Sequence, residues 1–227
     1  MNVIVFASRK GGSGKSTLAA HLAAQAHTPT SRVLMIDADP QGSLTLWHKL
    51  RSSGEPPIAS GAGAGGVQEV VKRAKREGYD WAFVDTPPNM SSIVTEAIQT
   101  ATLILIPARL TLFDLAAIKE TMVLARQLKK PYAVVINGVP PRRDNTESPF
   151  VREARAVLNS LNVPVWSGQI TQRNAYSLAL AEGEGASEYD GHSEAASEIS
   201  ALWAAVEKSV KAINGAYEGV AMHRVAA

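Results

Sequence analysis

The residues of this chain best suited to chemistry form a glycine-rich run near its start. Lysines, glycines and hydroxyl side chains follow one another there, as Lys10-Gly11-Gly12-Ser13-Gly14-Lys15-Ser16-Thr17. Glycines let backbone N–H groups converge on phosphate oxygens without a clash of Cβ atoms. A lysine at the end of such a loop bridges the β- and γ-phosphates, and the serine that follows it ligates Mg²⁺. The run therefore predicts a phosphate loop that holds Mg-ATP, with Lys15 on the phosphates and Ser16 on the metal.

One position of the loop departs from the usual pattern G-x-x-x-x-G-K-[ST]. Arg9 stands where that pattern has glycine, and Lys10 adds a second lysine to the loop. A glycine-rich turn that only caps a helix is the alternative interpretation. Nucleotide binding is favoured because the run follows a predicted strand and opens a predicted helix, which is the context that a phosphate loop requires.

Acidic side chains follow two other apolar runs. Asp37 and Asp39 come after one run, in Ile36-Asp37-Ala38-Asp39-Pro40-Gln41-Gly42-Ser43, and Asp85 comes after another, in Trp81-Ala82-Phe83-Val84-Asp85-Thr86-Pro87-Pro88. A single Asp-Pro segment would be read as a turn or a helix cap. Two such segments downstream of a phosphate loop instead predict carboxylates that face Mg²⁺ and an attacking water at the carboxyl ends of the strands.

Short apolar runs alternate along the chain with longer helical patterns. We predict strands at 3–7, 33–36, 81–84, 103–106, 133–136 and 163–166, and helices at 15–26, 67–76, 112–128, 150–161 and 193–213. The strand runs are almost continuously apolar, which is typical of a parallel sheet buried on both faces. The pattern predicts an α/β fold with a doubly wound, mostly parallel sheet and helices on both faces.

The domain organisation follows from the same alternation. We expect a single domain over 1–213 and a mobile tail over 214–227, because little pattern remains after residue 213. The segment 52–66 is rich in Gly, Pro, Ala and Ser. It reads as a surface loop and not as a domain linker, since the alternation resumes directly after it.

Composition excludes several classes of site. The chain has no cysteine, which removes disulfides, thiolate zinc sites, cysteine nucleophiles and cysteine-ligated iron–sulfur clusters. No signal peptide and no apolar run of about 18 residues is found, so we expect a cytoplasmic protein. The formal net charge of +2 does not by itself indicate a nucleic-acid-binding protein, although it is compatible with a local patch of positive charge.

Taken together, the K-G-G-S-G-K-S, D-x-D-P-Q-G-S and D-T-P-P segments resemble the ParA/MinD family of deviant Walker A ATPases. The stretches 39–47 and 170–173 are most similar to the short plasmid-partition members called ParF.

The resemblance implies a P-loop NTPase fold and a role for each matching residue. Lys10 would reach the partner's phosphates in an ATP sandwich dimer, and Asp39 would orient the attacking water. Asp37 would support Mg²⁺ through water, Asp85 would be the Walker B carboxylate, and Asn137 would contact adenine.

The resemblance also implies a biological role. The ATP-bound homodimer would bind nucleoid DNA without sequence preference. A ParB-like or ParG-like adaptor on the cargo would stimulate slow hydrolysis and release the ATPase. The cargo would be a plasmid, a chromosome or a protein assembly. The expected location is therefore the cytoplasm, in association with the nucleoid.

A DNA-binding surface requires local positive charge, because non-specific affinity is largely neutralisation of phosphates. Basic residues are frequent between 129 and 173, whereas 182–198 is acidic. The candidate DNA contacts are Arg142, Arg143, Arg173, Lys208 and Lys211. An ordinary solvated surface is the alternative for each of them.

Two other functional classes remain as alternatives. A membrane-associated positioning ATPase resembling MinD would end in a basic amphipathic helix. The segment 216–225 is short, interrupted by glycine and barely basic, so membrane binding is not expected. A biosynthetic ATP-dependent ligase would need a pocket for a carboxylate substrate, and no constellation for one is visible in the sequence.

Overall fold

A computed structural model of the chain describes residues 1–60, 66–89, 91–110, 112–142, 144 and 146–225. Its strands are β1 Asn2–Phe6, β2 Val33–Asp37, β3 Ile58–Ser60, β4 Trp81–Asp85, β5 Leu103–Ala108, β6 Tyr132–Val139 and β7 Ile170–Thr171. They form one sheet in the order β3-β2-β4-β1-β5-β6-β7, and every pairing between neighbours is parallel. The predicted parallel α/β sheet is confirmed.

Helices cover both faces of this sheet. They are α1 Lys15–Ala26, α2 Ser43–Leu50, α3 Gly66–Arg76, α4 Ser92–Thr100, α5 Leu112–Gln127, α6 Pro149–Ser160, α7 Asn174–Ala181, α8 Ala186–Tyr189 and α9 Glu194–Val225. The buried residues of α3, α4, α5 and α6 pack on one face of the sheet. Those of α1, α2, α7, α8 and α9 pack on the other. The sheet is therefore doubly wound, as the alternation predicted.

Strand β1 illustrates why the apolar runs become central strands. Val3 and Val5 point into the core on one face, while Ile4 and Phe6 point into the core on the other. Successive side chains of a strand alternate between faces, so a strand covered on both sides must be apolar throughout. Each such buried side chain contributes roughly 1.5–3 kcal/mol to folding. This burial fixes the position of the loop that follows β1.

Two predicted elements differ in the structure. The predicted strand 163–166 forms only an isolated bridge between Val134 and Val165, and the strand that pairs along β6 is Ile170–Thr171. Pro164 has no N–H to donate and so cannot extend a ladder. Within the predicted loop 52–66, Ile58–Ser60 pairs with β2 as a short edge strand. A strand of three residues within a segment rich in glycine and proline is too short to show the alternating pattern that predicts a strand.

The C-terminal helix also differs from its predicted bounds. Helix α9 extends to Val225, beyond the predicted end at residue 213. Mobility of the tail 214–227 stays a prediction. Across the described ranges, no helix combines the length and apolarity that crossing a bilayer requires.

Candidate nucleotide-binding site

The glycine-rich run forms the connection between β1 and α1. Gly12 and Gly14 adopt φ values of 71° and 103°, which L side chains rarely occupy. A Cβ atom on Gly14 would lie 2.1 Å from Nδ2 of Asn137. Helix α1 begins at Lys15, so its positive end faces whatever the loop holds. The local structure is that of a phosphate loop.

Asn137, on β6, supports this loop from behind. Its Nδ2 donates a hydrogen bond of 2.7 Å to the carbonyl oxygen of Ser13, and the side chain is buried. Asn137 is absent from the described lining of the cavity in front of the loop. An adenine contact by this residue stays a prediction, and its observed role is to hold the loop against the sheet.

Lys15 lies at the start of α1 with only 6% of its surface exposed. Its Nζ is 3.4 Å from the carbonyl oxygen of Lys10, across the loop. Burial lowers the pKa of Lys15, and the negative charges of Asp85 and Asp39 oppose that shift. The ammonium group is therefore a poorly hydrated cation directed into the loop, which suits a contact with phosphate.

The sheet register brings Asp37 and Asp85 together. They are paired positions on the adjacent strands β2 and β4. Oδ2 of Asp37 accepts hydrogen bonds from the backbone N–H and the hydroxyl of Thr45, at 2.8 and 2.7 Å. Its Oδ1 accepts from the N–H of Asp39 at 3.2 Å. Asp37 thus braces the segment that carries Asp39, whose own carboxylate accepts from the N–H of Gln41 at 3.0 Å.

Asp85 has the opposite character. It is fully buried, and neither of its carboxylate oxygens forms a hydrogen bond of ordinary geometry with any residue that the structure describes, although the Ser16 hydroxyl lies nearby. Burial raises the pKa of Asp85 to about 7, the hydroxyl of Ser16 lowers it, and the nearby charges act more weakly. A buried carboxylate with both oxygens unpaired, beside a serine hydroxyl, offers the donor set of a hydrated magnesium ion.

A divalent cation would need further ligands from outside the chain. Among the described residues, no group of three or more His, Cys, Asp or Glu side chains is arranged to hold a metal ion. Mg²⁺ commonly keeps waters and takes phosphate oxygens in sites of this kind. Ser16 and Asp85 fit that ion in a nucleotide-dependent site, with Asp37 adjacent.

A cavity of about 440 Å³ opens at the phosphate loop, and Asp37 and Asp85 are not among its described lining residues. Its described lining consists of Gly11, Gly12, Gly14, Lys15, Ser16, Thr17, Ala20, Asp39, Gln41, Ser43, Trp47, Pro88, Arg109 and Leu180. The phosphate loop and Asp39 form polar walls, and Ala20, Trp47 and Leu180 add apolar surface. The sequence did not predict Arg109 and Leu180 as site residues. The one sequence feature that could have indicated Arg109 is its position directly after a buried strand.

The two basic residues before the glycines lie outside this lining. Lys10 is partly buried, and its backbone N–H donates to Oγ of Ser8 at 3.4 Å. A catalytic role for Lys10 in a partner's site stays a prediction. Arg9 is exposed and forms an ion pair with Glu120 of α5.

The structure describes all but one of the candidate DNA contacts. Arg142 pairs with Glu147 at 3.1 Å, and Arg173 pairs with Glu194 and Glu198. Lys208 and Lys211 are exposed on α9. Arg143 lies outside the described residues. The expected excess of positive charge is therefore partly neutralised, and DNA contact by each residue stays a prediction.

Comparison with known proteins gives a consistent result. A profile of the CobQ/CobB/MinD/ParA nucleotide binding domain matches residues 4–186. Protein virC1 of Rhizobium radiobacter is 31% identical over 194 residues, which cover 81% of this chain and 82% of the relative. The maintenance of carboxysome distribution protein A of Halothiobacillus neapolitanus is 28% identical over 189 residues, covering 79% and 84%. The ATP complex of Cyanothece McdA(D38A) superimposes with a TM-score of 0.70 at 21% identity, covering 95% of this chain and 96% of that structure, which is a likeness of fold.

Proposed function

The chain belongs to the CobQ/CobB/MinD/ParA family of nucleotide-binding domains, and on that premise we propose that it is an ATP-driven partitioning switch. ATP binding closes a sandwich homodimer, and the dimer binds DNA without sequence preference. Hydrolysis, stimulated by an adaptor on the cargo, returns the subunits to a state that does not bind DNA. Each state differs from the other by one γ-phosphate, which supplies the differential affinity that a switch needs.

The observation that carries the ATPase assignment is the grouping of Lys15, Ser16 and Asp85 at one edge of the sheet. Lys15 is a buried cation on the loop, and Asp85 is a buried carboxylate to which no described residue donates a hydrogen bond of ordinary geometry. A magnesium ion bound with the nucleotide would neutralise charge that develops on the transferring phosphoryl group. Ser16 and Asp85 would hold that ion and its waters.

The side chains around the metal bind and orient the nucleotide and the attacking water. Lys15 and the loop N–H groups bind and orient the phosphates. Asp39, held out at the cavity by Asp37, orients the attacking water. Lys10 of a second copy adds a cation at the phosphates, so that the complete site forms only in the dimer. Hydrolysis by one subunit is slow for this reason, because a cation that stabilises the developing charge is then missing.

The cargo assignment rests on the relatives. One is named for the maintenance of carboxysome distribution, and the family profile is named for MinD and ParA. We propose that this chain segregates a plasmid, a chromosome or a protein assembly with a ParB-like or ParG-like adaptor. It works in the cytoplasm on the nucleoid and not on a membrane.

The test is binding to duplex DNA of mixed sequence with ATP, ADP or no nucleotide, at about 50 and 200 mM salt. The Asp39→Ala variant is measured alongside, since it should bind ATP without hydrolysing it. Binding that requires ATP, weakens with salt and persists in the variant is the expected result. Absence of DNA binding in every state would contradict the partitioning role on DNA while leaving the ATPase assignment intact.

A further inference from the structure

A second cavity, of about 420 Å³, has none of its described lining residues in common with the nucleotide cavity. Its described lining consists of Pro141, Arg142, Trp166, Gln169, Thr171, Arg173, Glu194, Ser197, Glu198 and Ala201. The charged members are two arginines and two glutamates. The two arginines are candidate DNA contacts, and the two carboxylates beside them would repel the phosphates of DNA.

Arg173 is held from one side by a fixed partner. Its Nε and Nη2 donate to Oε1 of Glu198, at 3.2 and 3.0 Å. Glu198 also accepts from the N–H of Thr171 at 2.9 Å and from the hydroxyl of Tyr176 at 2.7 Å. Because Glu198 is anchored to β7 and α7, it fixes the plane of the guanidinium group and leaves the Nη1 edge for another acceptor.

Glu194 occupies that remaining edge. Its carboxylate accepts from Nη1 of Arg173, and its side chain is 77% exposed, against 17% for Glu198. An exposed carboxylate gains little from such a pair, because water screens the charges and the side chain loses entropy. Glu194 is therefore a replaceable ligand, whereas Glu198 is a fixed one.

Arg142 brings positive charge to the same cavity. Its Nη2 is 3.1 Å from Oε1 of Glu147, and its side chain is 40% exposed. Arg155 already donates to both oxygens of Glu147, at 2.7 and 3.2 Å. Arg155 compensates Glu147, and Glu198 compensates Arg173. Among the described residues of this cluster, the charge of Arg142 is therefore in excess, and the carboxylate of Glu194 balances it.

We propose that Glu194 is a built-in competitor for phosphate, and that a backbone phosphate of duplex DNA displaces it to bridge Arg173 and Arg142. This rests on the DNA binding proposed above and adds what limits its strength. Guanidinium groups bind phosphate through paired, charge-assisted hydrogen bonds, which a carboxylate imitates. A DNA phosphate must therefore compete with Glu194, so the affinity of the dimer stays low enough for release after hydrolysis.

The test compares Glu194→Gln, Arg173→Gln and the double variant with the wild type. Anisotropy is measured with a fluorescent duplex of about three helical turns and with ATP, over a series of salt concentrations. Glutamine removes the competing charge and keeps a side chain of the same size. We expect Glu194→Gln to tighten DNA binding about threefold to tenfold. The slope of the logarithm of the binding constant against the logarithm of the salt concentration should steepen by about one, which corresponds to one more released counterion. Arg173→Gln should abolish that gain in the double variant.

Glu182→Gln is the matched control, because it removes one exposed negative charge at the end of α7, outside the lining of this cavity. It should leave DNA affinity within about twofold of the wild type. An equal gain in Glu182→Gln and Glu194→Gln would show an effect of net charge alone and would overturn the proposal. Thermal unfolding of each variant establishes that the fold is retained.

The remaining outcomes separate this inference from the proposed function. Wild-type binding that Glu194→Gln leaves unchanged overturns the competitor and keeps the DNA switch. No binding by either protein at low salt overturns both. A further arm titrates pyrophosphate into Glu194→Gln with the phosphate loop saturated by a non-hydrolysable ATP analogue. Binding of pyrophosphate without binding of DNA would assign the cavity to a small anion and overturn duplex DNA as the occupant.

Discussion

At the scale of single residues, the site contains two carboxylates that look alike in sequence and differ in surroundings. Both oxygens of Asp37 accept hydrogen bonds from N–H and hydroxyl donors, whereas those of Asp85 accept none of ordinary geometry from the part of the chain that the structure describes. A carboxylate that is fully hydrogen-bonded positions its neighbours, whereas an unpaired buried one is poised for a ligand. The sequence predicted both residues at the metal and could not distinguish these roles.

Thr45 is expected to matter for turnover through Asp37. Thr45→Val removes the hydroxyl hydrogen bond of 2.7 Å to Oδ2 of Asp37 and loosens the segment that carries Asp39. A hydrogen bond to a charged group contributes about 1.5–3 kcal/mol, so kcat should fall roughly tenfold to a hundredfold. ATP affinity, measured with a fluorescent analogue, should change little, because Thr45 does not line the cavity. Thr45→Ser should restore the rate, and a parallel loss of ATP affinity would argue against a positioning role.

His21 is expected to make stability depend on pH. It is buried in α1, where its Nδ1 accepts from the N–H of Ala186 at 3.1 Å, and burial lowers its pKa to about 4 from 6.5. Because the unfolded state takes up the proton first, stability is lost as pH falls from about 6.5 towards 4, on the order of 3 kcal/mol in all.

The check is urea unfolding at several pH values. His21→Asn keeps a hydrogen-bond acceptor and removes the titration, so its stability should fall less steeply between pH 6.5 and 4.5. His192→Asn, at an exposed position, should follow the wild-type slope. Equal slopes in all three proteins would rule out His21 as the source.

At the scale of elements, helix α2 is fastened to α8 and to the loop between α7 and α8. Arg51, which follows α2, lies over the ring of Trp47 and donates to both carboxylate oxygens of Glu188, at 2.8 and 2.9 Å. The indole N–H of Trp47 donates to the carbonyl oxygen of Glu184 at 3.3 Å. These contacts hold together Trp47 and Leu180, which line the nucleotide cavity from different helices.

Arg51→Met tests this fastening. The side chain of Arg51 is only 5% exposed, and its loss leaves Glu188 without its main partner. We expect a loss of about 2–3 kcal/mol in the free energy of unfolding, below the roughly 3–5 kcal/mol for breaking a fully buried ion pair, because the Glu188 side chain is 38% exposed. Arg73→Met is the control, because its pair with Glu77 is more than half exposed on both sides and should cost less than about 1 kcal/mol. Equal losses in the two variants would refute the fastening.

At the scale of the whole molecule, the proposed active site is shared between two copies. Lys10 is absent from the described lining of its own cavity, which accords with action on a partner's phosphates. Lys10→Ala and Asp39→Ala should each abolish ATP hydrolysis. When the two variants are mixed in equal amounts, half of the random pairs are heterodimers with one intact site, so about a quarter of the wild-type rate should return. A mixture no more active than its components would contradict a shared site.

The sequence by itself determined the sheet, the phosphate loop and the acidic strand ends. These are local in cause: continuous apolar runs must be buried on both faces, and the glycines at positions 12 and 14 permit backbone conformations that other residues avoid. The helix Lys15–Ala26 is found with the predicted bounds. Family membership followed because the motifs lie in consecutive positions along the chain.

Only the tertiary structure decided what distant residues do to one another. Asn137 donates a hydrogen bond to Ser13, which lies far away along the chain, and Glu194 accepts one from Arg173. Residues Ile58–Ser60 become a strand by pairing with β2. None of these has a local pattern, because each depends on contacts that form when separate segments pack. The physical reason is that propensity and periodicity act within a segment, whereas hydrogen bonds and ion pairs between segments exist only once the fold has set their distance.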